Sequence, residues 1–287
     1  MKLLITFEDR LRHDSTGVYF KRAFEQLLGA DNVVHLYNEQ LGDARRSDFE
    51  HIIKIDDGLE QHRFPKHLGP ASWYVIDCHI DLEWRRKLHA EAGFHNLFFA
   101  QKRAVAEDWG GAAKHWVPLA CEEASHWAGQ RPRKYDVCFI GNFHSRHASR
   151  RMDYCDALFA RFPNFYYGRR FFREMAEKFA ESRLVWNCAL NGDINMRFFE
   201  AQMSGSALLT DQIPEMDLLG FREGTHYIGY NDKDEMLAKA EYYLANESER
   251  EMIAFNARLL VLNKFQYIHR ARQMWEILTK EVAHVAS

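Results

Sequence analysis

The chain lacks most of the features that would classify it at a glance. No apolar stretch approaches the roughly 20 residues that a bilayer-spanning helix needs, so its 287 residues hold no candidate transmembrane segment. The opening Met1–Phe7 is too short for the apolar part of a secretory leader and runs straight into Glu8, Asp9 and Arg10, so it is read as a first strand. There are five cysteines, an odd number, scattered and without a C-x-x-C pair. That pattern argues against a disulfide framework or a zinc site and for reduced, buried thiols in a cytoplasmic protein. Charge of one sign is also lacking: 38 Lys and Arg against 41 Asp and Glu give −3, so nothing overall points to nucleic acid or a membrane surface. No internal repeat and no low-complexity tract is present.

What is present is a large apolar complement, 47% hydrophobic and 14% aromatic. That is enough for two packed cores, and the length favours two domains over one. Strand-like and helix-like segments alternate. Strands are read at Leu3–Phe7, Val33–Tyr37, Ile52–Ile55, Trp73–Ile76, Asn96–Ala100 and His115–Pro118, with helices from Val18 to Leu28 and from Ala104. Residues 121–134 lose this periodicity and carry Gly129, Pro132 and several charges, the composition of a linker. A second series follows, with strands at Tyr135–Ile140, Phe165–Tyr167, Leu184–Asn187, Ala207–Thr210 and His226–Tyr230. Its helices are read at 150–162, 171–181, 196–203, 233–245 and 249–264. The β-α-β order predicts an α/β fold of two Rossmann-like, doubly wound domains facing a cleft. The expected division is 1–125, 126–266, and a last helix at 267–287 crossing back to the first domain.

The stretch Asn191–Asp211 is the most informative. It reads as loop, helix, tight stop and strand, with Gly192, Asp193 and Asn195 before the helix and Gly205 after it. A loop-to-helix start aims backbone N–H groups at whatever lies in front of it and favours an anion. Arg197 adds a fixed positive charge there, and Glu200, one turn in, is an acceptor-only group suited to two hydroxyl donors. Phosphates at the helix end and a ribose on the carboxylate would suit a nucleoside diphosphate. Without that role, Glu200 is a solvated helix position.

In doubly wound domains ligands sit outside the carboxyl ends of the strands. Gly17, Asp56, Asp57, Asp77, His79, Gly141, Asn142, Asn195, Arg197, Glu200 and Asp211 all fall at or just past such ends. Asp77 and His79 are candidates to orient an acceptor or donate a proton, the alternative being a structural turn. Asp56-Asp57-Gly58 reads first as a turn. Asp232-Lys233-Asp234 has the D-x-D form of a metal–nucleotide site but stands at a helix start, where capping is expected, and no metal ligand set is assigned. Between Arg146 and Arg173 seven arginines (146, 150, 151, 161, 169, 170 and 173) face two acids, Asp153 and Asp156. Arg146 is placed to grip a diphosphate. The others read as a solvated face, with a polyanionic acceptor such as DNA as the minority alternative.

Several of these pieces resemble the CgeB-like, spore-maturation-type glycosyltransferases, within the retaining, family-4-like GT-B enzymes. The matching segments are Tyr135–Asn142, Asn195–Asp211, the E-G-x-x-Y shape at Glu223–Tyr227 and the Tyr267–Arg270 turn. The first half is similar only in outline. The resemblance implies a GT-B fold, a nucleotide sugar held by the second domain at Gly141, Asn142, Asn195, Arg197, Glu200 and Asp211, and no essential metal. One departure stands out: the broader family pairs two glutamates eight positions apart, and Glu200 matches the second while Gly192 occupies the first, with Asp193 beside it. The expected activity is transfer of a hexose-type sugar from a nucleoside diphosphate sugar, a UDP-sugar first, to an acceptor hydroxyl, with retention. The acceptor is open among glycan, protein, small molecule and, as the minority, a DNA base. A nucleotide-sugar isomerase and a non-catalytic nucleotide-sugar binder are the other readings.

Overall fold

The computed structural model describes residues 2–10, 13–56, 63–78, 81–141, 149–190 and 192–285. Along the chain the elements are β1 (Leu3–Thr6), α1 (Thr16–Leu28), β2 (Val33–Leu36), β3 (His51–Ile55), β4 (Ser72–Val75), α2 (Leu82–Ala92), β5 (Asn96–Phe99), α3 (Lys102–Val105), β6 (Ala113–Trp116) and α4 (Glu123–His126). There follow β7 (Tyr135–Ile140), α5 (Ser149–Arg161), β8 (Phe165–Gly168), α6 (Phe172–Ala180), β9 (Ser182–Asn187), α7 (Met196–Met203), β10 (Ala207–Asp211) and α8 (Pro214–Leu218). The series closes with β11 (Ile228–Tyr230), α9 (Lys233–Ala245), α10 (Glu247–Lys264) and α11 (Tyr267–Val285). The chain divides into two units, one of residues 1–118 with 267–287 and one of 119–266.

The first unit is a six-stranded parallel sheet in the order β2-β1-β3-β4-β5-β6. Its strands are short apolar runs such as LLIT and NLFF, buried throughout, as parallel strands covered on both faces must be. Tyr19, Phe20 and Phe24 place α1 on the sheet. Returning to this unit, α11 stacks Tyr267 on Tyr19 with ring centroids 5.0 Å apart and sets Trp275 edge-on to His51. Sequence periodicity does not mark α2. Its apolar positions are few because a core-facing position is taken by Arg85, buried in an ion pair with Asp56, Nε to Oδ2 2.8 Å. Asp56 is thus a buried partner of a helix.

The second unit is a five-stranded parallel sheet in the order β11-β10-β9-β7-β8. Val137, Phe139, Leu184, Trp186, Leu209 and Tyr230 form its core on one face, and Phe198, Phe199 and Met203 of α7 are fully buried. Residues 121–134 are not a loose linker. Arg133 donates to the carbonyls of Ala180, Ser182 and Gly205, to Ser206 Oγ and to Glu251. The Arg258 guanidinium lies 3.8 Å over the Trp127 ring. A segment of low periodicity is therefore locked into the unit by one multidentate cation and one aromatic ring. Neither leaves a period in the sequence.

Candidate nucleotide-sugar site

Strand order in the second sheet reverses between β7 and β9, the place where an open parallel sheet offers a crevice for ligands. Arg197, in the first turn of α7, ties the two strand ends together. Its Nε donates to the Ile140 carbonyl (2.7 Å) and its Nη1 to Asn187 Oδ1 (2.9 Å). The guanidinium lies 4.6 Å over the Phe139 ring. Burial, and then the neighbouring Arg151 guanidinium, pull its pKa down to about 9, which leaves it cationic at neutral pH. Gly141 permits this arrangement, because a Cβ there would fall on the Arg197 guanidinium. Arg197 is therefore a bridge between strands as well as a charge. Two of its five N–H groups are used by these bonds.

A polar network surrounds the bridge. Asn195 caps α7, its Oδ1 accepting from the Phe198 N–H at 3.2 Å while Nδ2 donates to Asn187 Oδ1 at 3.0 Å. One of the four N–H groups that a helix start leaves over is thus taken by the cap. Asn187 Nδ2 donates to Thr210 Oγ1 at 3.0 Å, and the Tyr230 hydroxyl donates to the Asn187 carbonyl at 2.7 Å. Asp211 accepts the Ala189 N–H on both oxygens (3.0 and 3.2 Å) and lies 3.6 Å from Arg150. Burial pushes the Asp211 carboxyl up, against the Ala189 N–H and Arg150. Arg151 donates twice to the Cys188 carbonyl. Residues 187–189 are therefore held by side chains from α5, α7, β10 and β11.

Glu200 is only 6% exposed, so the alternative reading of it as a solvated helix position does not hold. The cover comes from His126 of α4, itself fully buried, with Nε2 3.6 Å from Glu200 Oε1. His126 Nδ1 accepts the Glu122 N–H at 3.0 Å, which leaves Nε2 to carry the proton and face the carboxylate. Asp193 is buried at 7%. Gly192, where the family's first glutamate would fall, has φ +68°. A side chain there would pay about 1–2 kcal/mol for the left-handed conformation, so the departure is built into the backbone.

The second unit thus brings together Gly141, Asn195, Arg197 and, through the shared network, Asp211, with Glu200 one turn along α7 and Asp193 in the loop before it. Gly17 and Asp77 belong to the first unit. A Cβ on Gly17, in the first turn of α1, would meet the Phe7 ring, and Asp77 follows β4 in a left-handed conformation, φ +50°. His79, Asn142 and Arg146, with Asp57 and Gly58, lie outside the described residues. Sequence reasoning missed Asn187, Thr210, Arg151 and His126. Asn187 was within reach of the rule used for the others, being a polar residue that ends an apolar strand. Nothing local marks His126, which meets Glu200 only through the tertiary fold.

The remaining charge patterns are largely neutralised within the unit. Arg151 is buried, Arg161 pairs with Glu241, Arg170 with Glu174 and Arg173 with Glu177. Asp232 caps α9, accepting the Glu235 N–H at 2.8 Å. Among the described residues no cluster of three or more His, Cys, Asp or Glu is arranged to hold a metal, and no helix is long and apolar enough to cross a membrane.

Two parallel, doubly wound sheets of this kind define a GT-B fold, and solved GT-B structures superpose over nearly the whole chain. Anabaena HepE, solved with UDP and glucose, matches with a TM-score of 0.72 at 11% identity, over 98% of this chain and 100% of that one. Sucrose-phosphate synthase from Thermosynechococcus elongatus gives 0.69 at 10% identity, over 99% and 100%. T4 phage BGT, solved with its UDP-glucose substrate, gives 0.64 at 11% identity, over 97% and 99%. No curated protein matches the chain in sequence. The glycosyl transferase-like family matches residues 126–276, more than half of the chain, and the protein belongs to that family. It is a glycosyltransferase of GT-B type.

Proposed function

We propose that the protein transfers a hexose-type sugar from a UDP-sugar to an acceptor hydroxyl, with retention and without an essential metal, in the manner of the CgeB-like enzymes. The observation that carries this reading is the Arg197 bridge at the strand-order switch, with the capped start of α7 beside it and Glu200 one turn on. In this reading the cation and the helix start face the diphosphate and stabilise it as it leaves. Glu200, aligned by His126, accepts the two ribose hydroxyls. Asp193 is the nearest carboxylate to the position of the missing glutamate and is assigned to the sugar. HepE and T4 phage BGT were solved with UDP or UDP-glucose, which supports uridine as the donor base. One solved complex of T4 phage BGT also holds Mn2+, so the role of metal is tested directly.

The test is calorimetric titration of UDP into wild type, Glu200→Gln and Glu200→Ala, with and without chelator. Hydrogen bonds to a charged group are worth about 1.5–3 kcal/mol each, so the alanine variant should bind about ten- to a thousandfold more weakly and the glutamine variant should lose less. Glu200→Ala also removes the carboxylate facing His126, which should cost about 1–3 kcal/mol of stability, so titration is run well below the melting temperature of each variant. Chelator should change nothing. Unchanged affinity in the alanine variant overturns the ribose assignment, and a strict need for Mn2+ or Mg2+ overturns the metal-free one. Incubation with UDP-glucose alone separates the chemical classes. Slow release of free sugar marks a transferase, an altered sugar still on its nucleotide an isomerase, and an unchanged donor a binding protein.

A further inference from the structure

Two buried charged side chains of the second unit take no part in the reaction proposed above, and both are aimed at one peptide group. The Cys188 carbonyl accepts from Arg151 Nε at 3.1 Å and from Nη2 at 2.6 Å. The N–H of the same peptide, on Ala189, donates to both Asp211 oxygens at 3.0 and 3.2 Å. Arg151 comes from the first turn of α5 and Asp211 from the end of β10, and they are 6% and 4% exposed. A trans peptide is planar and rigid, with its C=O and N–H pointing in opposite directions. The guanidinium therefore holds the negative end of the peptide dipole and the carboxylate its positive end. A flip of this plane would set carbonyl against carboxylate and N–H against guanidinium, in an interior where such contacts are strong. Cys188 and Ala189 are themselves buried, so bulk water does not compete for either group.

We infer that Arg151 and Asp211 form a clamp on this peptide that positions the sugar end of the donor, acting through the connection from β9 to α7. The clamped peptide stands at the root of that connection, and Asp193 lies four residues beyond Ala189. The far end is pinned separately. Asn195 Nδ2 donates to Asn187 Oδ1 at 3.0 Å, Arg197 Nε donates to the Ile140 carbonyl at 2.7 Å, and Phe198 and Phe199 are fully buried. The start of α7, assigned to the diphosphate, is thus secured without the clamp. The backbone leading to Asp193 takes its direction from the clamp. Asp211 is then a positioning residue that acts through Ala189, and not a donor contact. This role rests on Asp193 being the sugar contact.

The experiment is calorimetric titration with UDP and with UDP-glucose, UDP-galactose and UDP-N-acetylglucosamine, run below the melting temperature of each variant. The gain in affinity of the best UDP-sugar over UDP reports the sugar contact. Asp211→Ala removes the carboxylate. Arg151→Lys keeps a charge beside Arg197 but replaces the planar two-bond grip with a single ammonium. Both should lose most of the gain, and Asp211→Ala should leave UDP affinity unchanged. Release of free sugar from that donor should fall by about a hundredfold, the cost of a misplacement of about 1 Å. Asp211→Asn, whose Oδ1 still accepts the Ala189 N–H, should restore most of both. Hydrogen exchange across 188–195 should quicken in Asp211→Ala, while that of α7 does not. A gain retained in Asp211→Ala, a matching loss of UDP affinity, or unchanged exchange across 188–195 would overturn the inference. A wild type without the gain, or an Asp193→Ala variant that keeps it, would instead remove the sugar assignment of Asp193, and this role with it.

Discussion

The two sheets are built alike and differ in what stands at the carboxyl ends of their strands. In the first, strand order reverses between β1 and β3. There Glu8 is bound by Arg10, Asp56 is buried against Arg85, and the Phe7 ring covers Gly17 and stacks on His35 with centroids 4.0 Å apart. In the second, the reversal lies between β7 and β9, and the ends are tied by Arg197, Asn187 and Asn195 around a glycine that leaves the guanidinium its room. The same kind of strand-order switch occurs twice. In the first unit aromatic packing and closed ion pairs occupy it. In the second a network of donors lines it, next to the start of α7. Topology supplies the place, and the side chains decide whether an anion can use it.

The strongest way to break this comparison is to disturb the first unit and look for an effect on the nucleotide. Asp56→Ala leaves the Arg85 guanidinium buried without its carboxylate, both side chains being under 5% exposed. Breaking one side of a buried pair costs about 3–5 kcal/mol. A clear fall in melting temperature is expected, with UDP affinity at low temperature unchanged. A matching loss of affinity would show that the first unit's strand ends also serve the donor.

The second test moves to the other unit. Gly141→Ala drives a methyl group into the Arg197 guanidinium. Overpacking of this kind costs about 1–3 kcal/mol, less than the Asp56 substitution, yet here UDP affinity should fall by about tenfold or more as the bridge is displaced. Stability loss without loss of affinity would mean that Arg197 is only structural. Calorimetry and thermal melting on the same samples separate the two outcomes.

These sites were unequally legible in the sequence. Strand ends were readable because parallel strands buried on both faces are continuous apolar runs, and the polar residue that ends each run marks the rim. Tyr135–Ile140 followed by Gly141, and Met196–Met203 preceded by Asn195, were found this way and occur as read. Positions where a charged group takes a core position were not readable. Arg85 hides α2, Arg151 reads with the solvated arginines, and the burial of Glu200 is unmarked because its cover comes from His126, over seventy residues earlier in the chain. Periodicity reports which side of an element is apolar. It is silent on a buried cation or carboxylate whose partner lies on a distant element.

The smallest expected effect concerns the arginine-rich segment from 146 to 173, where the comparison can be sharpened. A nucleic-acid acceptor would be held by arginines free to neutralise phosphates, each releasing counterions and steepening the dependence of binding on salt. Most of these side chains are already engaged. Arg151 donates to Cys188, Arg150 lies 3.6 Å from Asp211, and Arg161, Arg170 and Arg173 face Glu241, Glu174 and Glu177. Arg169 lies over the Phe171 ring with its guanidinium 5.9 Å from the centroid. If about two phosphates are neutralised, the slope of log affinity against log salt is about −2 for duplex DNA, at about −0.9 per phosphate. Binding should then be weak and its salt dependence shallow, measured by fluorescence anisotropy of a labelled duplex at several salt concentrations. A slope of about −4.5, for about five neutralised phosphates, would mean that the pairs with Glu174, Glu177 and Glu241 open for a phosphate backbone. The arginines would then form an acceptor surface, and a DNA base would replace the sugar, protein or small-molecule hydroxyl as the favoured acceptor.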